Sequence, residues 1–157
     1  MLTKAQAIRA LTSARLHDEH KLILVSGLFL SSQAGTPFHL DGVEYPTLRR
    51  FYEALKVPED RRARFVAGAT RRELALGRGH QDATFGYSGH EIAVGSLEHC
   101  QLVARAVSAK VAAHAAVRGE LARTGRARLV MGGPTSQPLG RVTPFALMIE
   151  RLRLSAR

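Results

Sequence analysis

Apolar positions recur at helical and strand intervals along most of the chain, and their spacing predicts a succession of short elements. Thr3-Lys4-Ala5-Gln6 has capping-box spacing ahead of Ala7, Ile8, Leu11 and Leu16, so a first helix is expected to close near His17. Leu22-Ile23-Leu24-Val25 is an unbroken apolar run ended by Ser26-Gly27, the pattern of a buried strand. Phe38-His39-Leu40 and Val43-Glu44-Tyr45 alternate about Asp41-Gly42. A two-residue type I′ turn needs positive φ at both central positions, which Asp-Gly supplies, so a hairpin is expected. Thr47 stands where an N-cap belongs, before Leu48, Phe51, Tyr52 and Leu55 at helical spacing, and this helix should run to about Lys56.

Further on, Pro58-Glu59-Asp60 opens a basic helix ending at Gly68, and Thr70-Arg71-Arg72-Glu73 is another capping box, closed by Gly77. Arg78 to Gly95 has loop composition, with one short strand at Glu91 to Val94. Ser96 caps a long apolar-periodic segment through Leu102, Val103, Val107 and Val111, expected to break between Ala112 and Val117 and to end at Thr124-Gly125. Arg128 to Met131 reads as a strand, and a last helix is expected to start at Pro144. The expected class is α+β: a mostly helical single domain over 1–157 with a small sheet or hairpin, the helix within 1–20 being peripheral.

Composition narrows the function. The chain of 157 residues is one domain by length, and 45% apolar with 23% charged residues excludes a disordered tail. Cys100 is the single cysteine, so an internal disulfide and a thiolate metal cluster are excluded and a reducing compartment is expected. The longest apolar stretch, Leu22 to Leu30, is interrupted by Ser26-Gly27 and falls short of the roughly 20 residues that span a bilayer. Together with an N-terminus lacking a signal-peptide core, this makes the expected location cytoplasmic, with no membrane partner. A net charge of +10 points to an anionic partner, a phosphate-bearing ligand or nucleic acid. With 3 Tyr, 6 Phe and no Trp, a base-stacking platform is poorly supplied. Arginines that merely solubilise the surface are the alternative.

Most conspicuous motifs fail on frame. Gly77-Arg78-Gly79-His80 and Gly132-Gly133-Pro134 lack the strand-to-helix setting of a dinucleotide fingerprint, and no P-loop Lys-Ser pair is present. His17-Asp18-Glu19-His20 matches no zinc spacing and reads as a polar helix end, so no metal or cofactor is expected. His99 and Cys100 are neighbours, about 100° apart on a helix, which separates a nucleophile from its base; Cys100 reads as core. Arg49, Glu53 and Lys56 differ. Spacings of four and three residues place a carboxylate between two cations on one helix face. That is the look of a phosphate pocket with an acid, or of a solvated ion-pair ladder worth a few tenths of a kcal/mol per pair.

Phe29-Leu30-Ser31-Ser32, then Thr36 to Thr47, then Tyr52 and Lys56, resemble in content and order the opening of the NADAR superfamily, named for NAD and ADP-ribose. Ala69 to Glu73 with Leu76-Gly77-Arg78, Ala109-Lys110, Leu121 with Thr124-Gly125, and Leu147-Met148 with Arg151 or Arg153 resemble its later segments. The resemblance implies a pocket for an anionic ribosyl or ribityl phosphate or an ADP-ribose-type ligand. It also implies N-glycosidase chemistry at the anomeric carbon, as on riboflavin-pathway intermediates or ADP-ribosylated guanine. Lys56 falls on the family lysine, and Ser31, Gly77 and Arg78 fall on matching positions. Arg49 and Arg50 stand where the family carries its Glu-His pair, and Ser32 where it carries Asn. Gly132 to Gly140 contains no Trp, Asp or Glu where the family has an acidic, tryptophan-containing segment.

Two alternatives follow from the resemblance and its departures. Glu53 supplies a relocated catalytic carboxylate, with Glu44, Asp82 or Glu98 as helpers and Arg49, Arg50, Lys56, Ser31, Ser32, Gly77 and Arg78 binding the ligand. Alternatively the domain binds a nucleotide or nucleic acid without cleaving it, as a basic scaffold. Arginine in place of an acid stabilises bound phosphate more than a developing cation.

Overall fold

The computed structural model describes residues 22–24, 29–68, 83–130 and 138–157. In chain order the elements are β1 (Leu22–Leu24), β2 (Phe38–Leu40), β3 (Val43–Tyr45), α1 (Leu48–Ala54), α2 (Glu59–Gly68), β4 (Thr84–Tyr87), β5 (His90–Ala93), α3 (Leu97–Ala113), α4 (Ala115–Arg123), β6 (Arg128–Val130) and α5 (Pro138–Ser155). The class is α+β and mostly helical, as expected. The expected helix from Thr3 to His17, the capping box from Thr70 to Gly77, and Arg78, Asp82 and Met131 lie outside the described residues.

Turn and cap chemistry builds the first half. Asp41 and Gly42 have φ of 49° and 81°, so β2 and β3 close as the expected hairpin with Phe38 opposite Tyr45. Thr47 caps α1, its hydroxyl accepting the Arg50 amide at 3.0 Å. Leu48, Phe51 and Tyr52 then face inward. Phe51 meets Phe38 and Tyr45 edge-on at 6.3 and 5.2 Å, fixing helix to hairpin. Each such side chain contributes roughly 1.5–3 kcal/mol by leaving water. Arg62 of α2 is buried and donates to the carbonyls of Ala54, Val57 and Gly86 at 3.0, 3.3 and 2.6 Å. It thereby adds a donor to the Ala54 carbonyl, which also accepts the Val57 amide at 3.1 Å, supplies one to the Val57 carbonyl beyond the end of α1, and ties both to β4.

The second half corrects three expectations. Thr84–Tyr87, expected to be loop, pairs with His90–Ala93, where a strand at Glu91 to Val94 was expected, in a second antiparallel hairpin. Ser88 and Gly89 both adopt positive φ, 51° and 75°, so they turn the chain as Asp-Gly does, with Phe85, Tyr87 and Ile92 buried. The last helix starts at Pro138, not Pro144, which lies inside it. Both prolines carry the same first-turn signature, and the helix begins at the earlier one. On α3, His99 rather than Cys100 faces the core: His99 is buried, while Cys100 is half-exposed.

The long segment breaks where expected. His114 leaves helical geometry with φ −128° and ψ 114°, separating α3 from α4, and its Nε2 lies 2.5 Å from the Pro37 carbonyl oxygen. Helix α3 packs against α5, β2 and α1, and β1 pairs in parallel with β6. Among the described residues no helix is long and apolar enough to cross a membrane.

Candidate functional site

The site is assembled on a turn that the hydrogen-bonding needs of its neighbours hold in place. The Ala34 amide donates to the Ser31 carbonyl at 3.2 Å, and the Ser31 hydroxyl accepts the Gln33 amide at 3.2 Å. The Ser32 carbonyl accepts the Arg49 amide at 2.8 Å. Arg49 lies in the first turn of α1, where amides have no partner within the helix, so the turn and Thr47 together finish that helix start. Ser31, Ser32 and Arg49 are therefore neighbours.

From Arg49 the cluster continues down one face of α1. Arg49 Nε lies 3.3 Å from Glu53 Oε1, with the arginine side chain 56% exposed and the glutamate 14%. Burial lowers the Lys56 ammonium from its ordinary range; Glu53 opposes that and Arg49 adds to it. The structure thus brings together Ser31, Ser32, Arg49, Glu53 and Lys56. Arg50, one position on from Arg49, leaves the helix in another direction and places its guanidinium carbon 5.3 Å from the centre of the Phe65 ring. It packs α1 on α2. The suggested helpers sit elsewhere: Glu44 faces His39 across the first hairpin at 4.0 Å, and Glu98 is exposed in the first turn of α3. Gly77 and Arg78 lie outside the described residues. Among the described residues no group of three or more His, Cys, Asp or Glu could hold a metal ion.

Two charged residues behind the turn received no site role from the sequence, Lys110 entering there only as part of the resemblance. Lys110 of α3 is fully buried, and its Nζ donates to the Ser31 carbonyl at 2.7 Å. Burial pushes its ammonium down to about 8, a shift Glu120 opposes. Burial likewise pushes the Glu120 carboxyl up, while the Phe29 amide, Arg123, Lys110 and the Leu30 amide pull it down. A lysine within the apolar stripe of Val103, Val107 and Val111 was the available signal, because a buried charge needs a partner.

The fold matches the NMR structure of the E. coli protein YbiA, a NADAR-family protein, with a TM-score of 0.65 and 20% identity over 90% of this chain and 88% of that one. The chain therefore has a NADAR-like fold. No family model and no curated protein matches the sequence.

Proposed function

We propose that this NADAR-like domain binds a phosphate-bearing ribose, of the ADP-ribose or ribosyl phosphate type, at the Ser31–Ser32 turn and the adjoining face of α1. The observation that carries the reading is Glu53 at 14% exposure between Arg49 and a Lys56 that burial has shifted. A solvated ion-pair ladder would leave its acid in water and its lysine unshifted, so the exposed-ladder alternative loses ground. In this reading Lys56 and Arg49 meet the phosphate oxygens with charge-assisted hydrogen bonds, and Glu53 orients both cations.

Hydrolysis is the second reading, and the same carboxylate favours it. Cleavage of an N-glycosidic bond breaks the bond between C1′ and the base, adds water oxygen at C1′, and passes through an oxocarbenium-like state that a nearby carboxylate stabilises. The ion pair with Arg49 offsets part of that charge, which places binding ahead of cleavage. Calorimetric titration with ADP-ribose and ribose 5-phosphate tests binding, and chromatography for base released from nucleoside 5′-phosphates tests cleavage. Binding without release is expected. Release that stops in Glu53→Gln would establish the glycosidase, and failure of either ligand to bind would overturn the proposal.

A further inference from the structure

An ammonium group in the interior loses its hydration, and a methionine of similar length would fill the same space without that penalty. Lys110 nonetheless sits at 0% exposure in α3. Its Nζ shares the Ser31 carbonyl with the Ala34 amide, at 2.7 and 3.2 Å. Glu120, from α4, takes the amides of Phe29 and Leu30 in the same stretch of chain, with Arg123 acting on it in turn. A cation on the carbonyl and an anion on the amides grip both polarities of one backbone segment. That segment continues into the Ser32 carbonyl, which accepts the Arg49 amide at 2.8 Å.

We propose that Lys110 is a positioning residue that keeps the Ser31–Ser32 turn in register with Arg49, and so fixes the backbone of the ligand site from behind. The link to the site rests on the ligand-binding reading above; the grip on the turn stands apart from it. A residue needed only for packing would be replaceable by Met without local consequence. A positioning residue would leave the fold intact and the turn loose.

Lys110→Met and the unaltered protein are compared by thermal unfolding, by hydrogen exchange of assigned amides and by titration with ADP-ribose. The expected result is a melting temperature that is unchanged or raised. Exchange protection of the Arg49 amide should fall about tenfold while Val103 and Leu121 keep theirs, and ADP-ribose affinity should fall about tenfold. Unchanged protection at Arg49 overturns the proposal, and reduced protection with unchanged affinity overturns its link to the site. Should Lys110→Met lose protection everywhere, Glu120→Gln decides: selective loss at Arg49 supports the proposal and no change overturns it. Absence of ADP-ribose binding in the unaltered protein would defeat the functional reading alone, and exchange at Arg49 would still judge the grip.

Discussion

The Lys110 ammonium donates to the Ser31 carbonyl oxygen at 2.7 Å across 79 positions of sequence. The contact joins the last turn of α3 to the turn that starts the site, and both ends are buried. Burial of the ammonium shifts its titration.

Lys110 in the folded chain titrates near 8, against an ordinary 10.5. Between these values the unfolded chain holds more protons than the folded one, so stability rises with pH across that window. The penalty is fully present below about pH 8 and gone above about 10.5. A shift of this size corresponds to about 3 kcal/mol. Four lysines, Lys4, Lys21, Lys56 and Lys110, make selective carbon-13 labelling practicable. One resonance should titrate near 8, and it should vanish in Lys110→Met. Urea unfolding should show the unaltered protein gaining on that variant as pH rises.

Glu53→Gln removes the negative charge between Arg49 and Lys56 while preserving shape. Both cations then act undivided on an incoming phosphate, so ribose 5-phosphate should bind about two- to fivefold more tightly at low salt. Any release of base should stop. Weaker binding in this variant would show that Glu53 itself contacts the sugar, and calorimetry reads the difference.

Arg62→Met leaves the carbonyls of Val57 and Gly86 without the Arg62 donor, while the Ala54 carbonyl keeps only the Val57 amide at 3.1 Å. Buried acceptors left open cost about 1–3 kcal/mol each, part of which water recovers where Gly86 is exposed. Destabilisation of about 3 kcal/mol is expected in urea unfolding.

How much of this was legible in the sequence depended on how locally each feature is determined. Asp41-Gly42 carries its turn in two residues, and Thr47 and Ser96 carry caps whose partners lie three residues on, so the first hairpin and the starts of α1 and α3 were readable. Ser88-Gly89 performs the same turn without the Asp-Gly composition, so of the second hairpin only the strand near Glu91 to Val94 is legible, and Thr84–Tyr87 reads as loop. Arg49, Glu53 and Lys56 were readable as one face because helical spacing alone places them. Nothing local announces that Arg50 turns to Phe65, that Arg62 ends α1, or that Lys110 and Glu120 grip a turn far away in sequence. Those partners are chosen by packing between elements.

Salt separates a dedicated pocket from a generally basic surface. Nucleic-acid binding through scattered arginines should fall steeply with ionic strength, as each neutralised phosphate releases counterions. A ligand held by the half-buried Lys56 is less exposed to screening. Between 50 and 200 mM salt, roughly, ADP-ribose affinity should therefore change by less than about tenfold, while affinity for a DNA oligonucleotide should fall more. Fluorescence anisotropy of labelled ligands checks both.

The central claim is that the α1 face beside the Ser31–Ser32 turn receives a phosphorylated ribose through Lys56. Calorimetric titration of ADP-ribose into the unaltered protein and into Lys56→Ala tests it directly. Binding by the former and affinity lower by about tenfold or more in the latter is the predicted result. Equal affinity in the two proteins, or no binding by either, would contradict it.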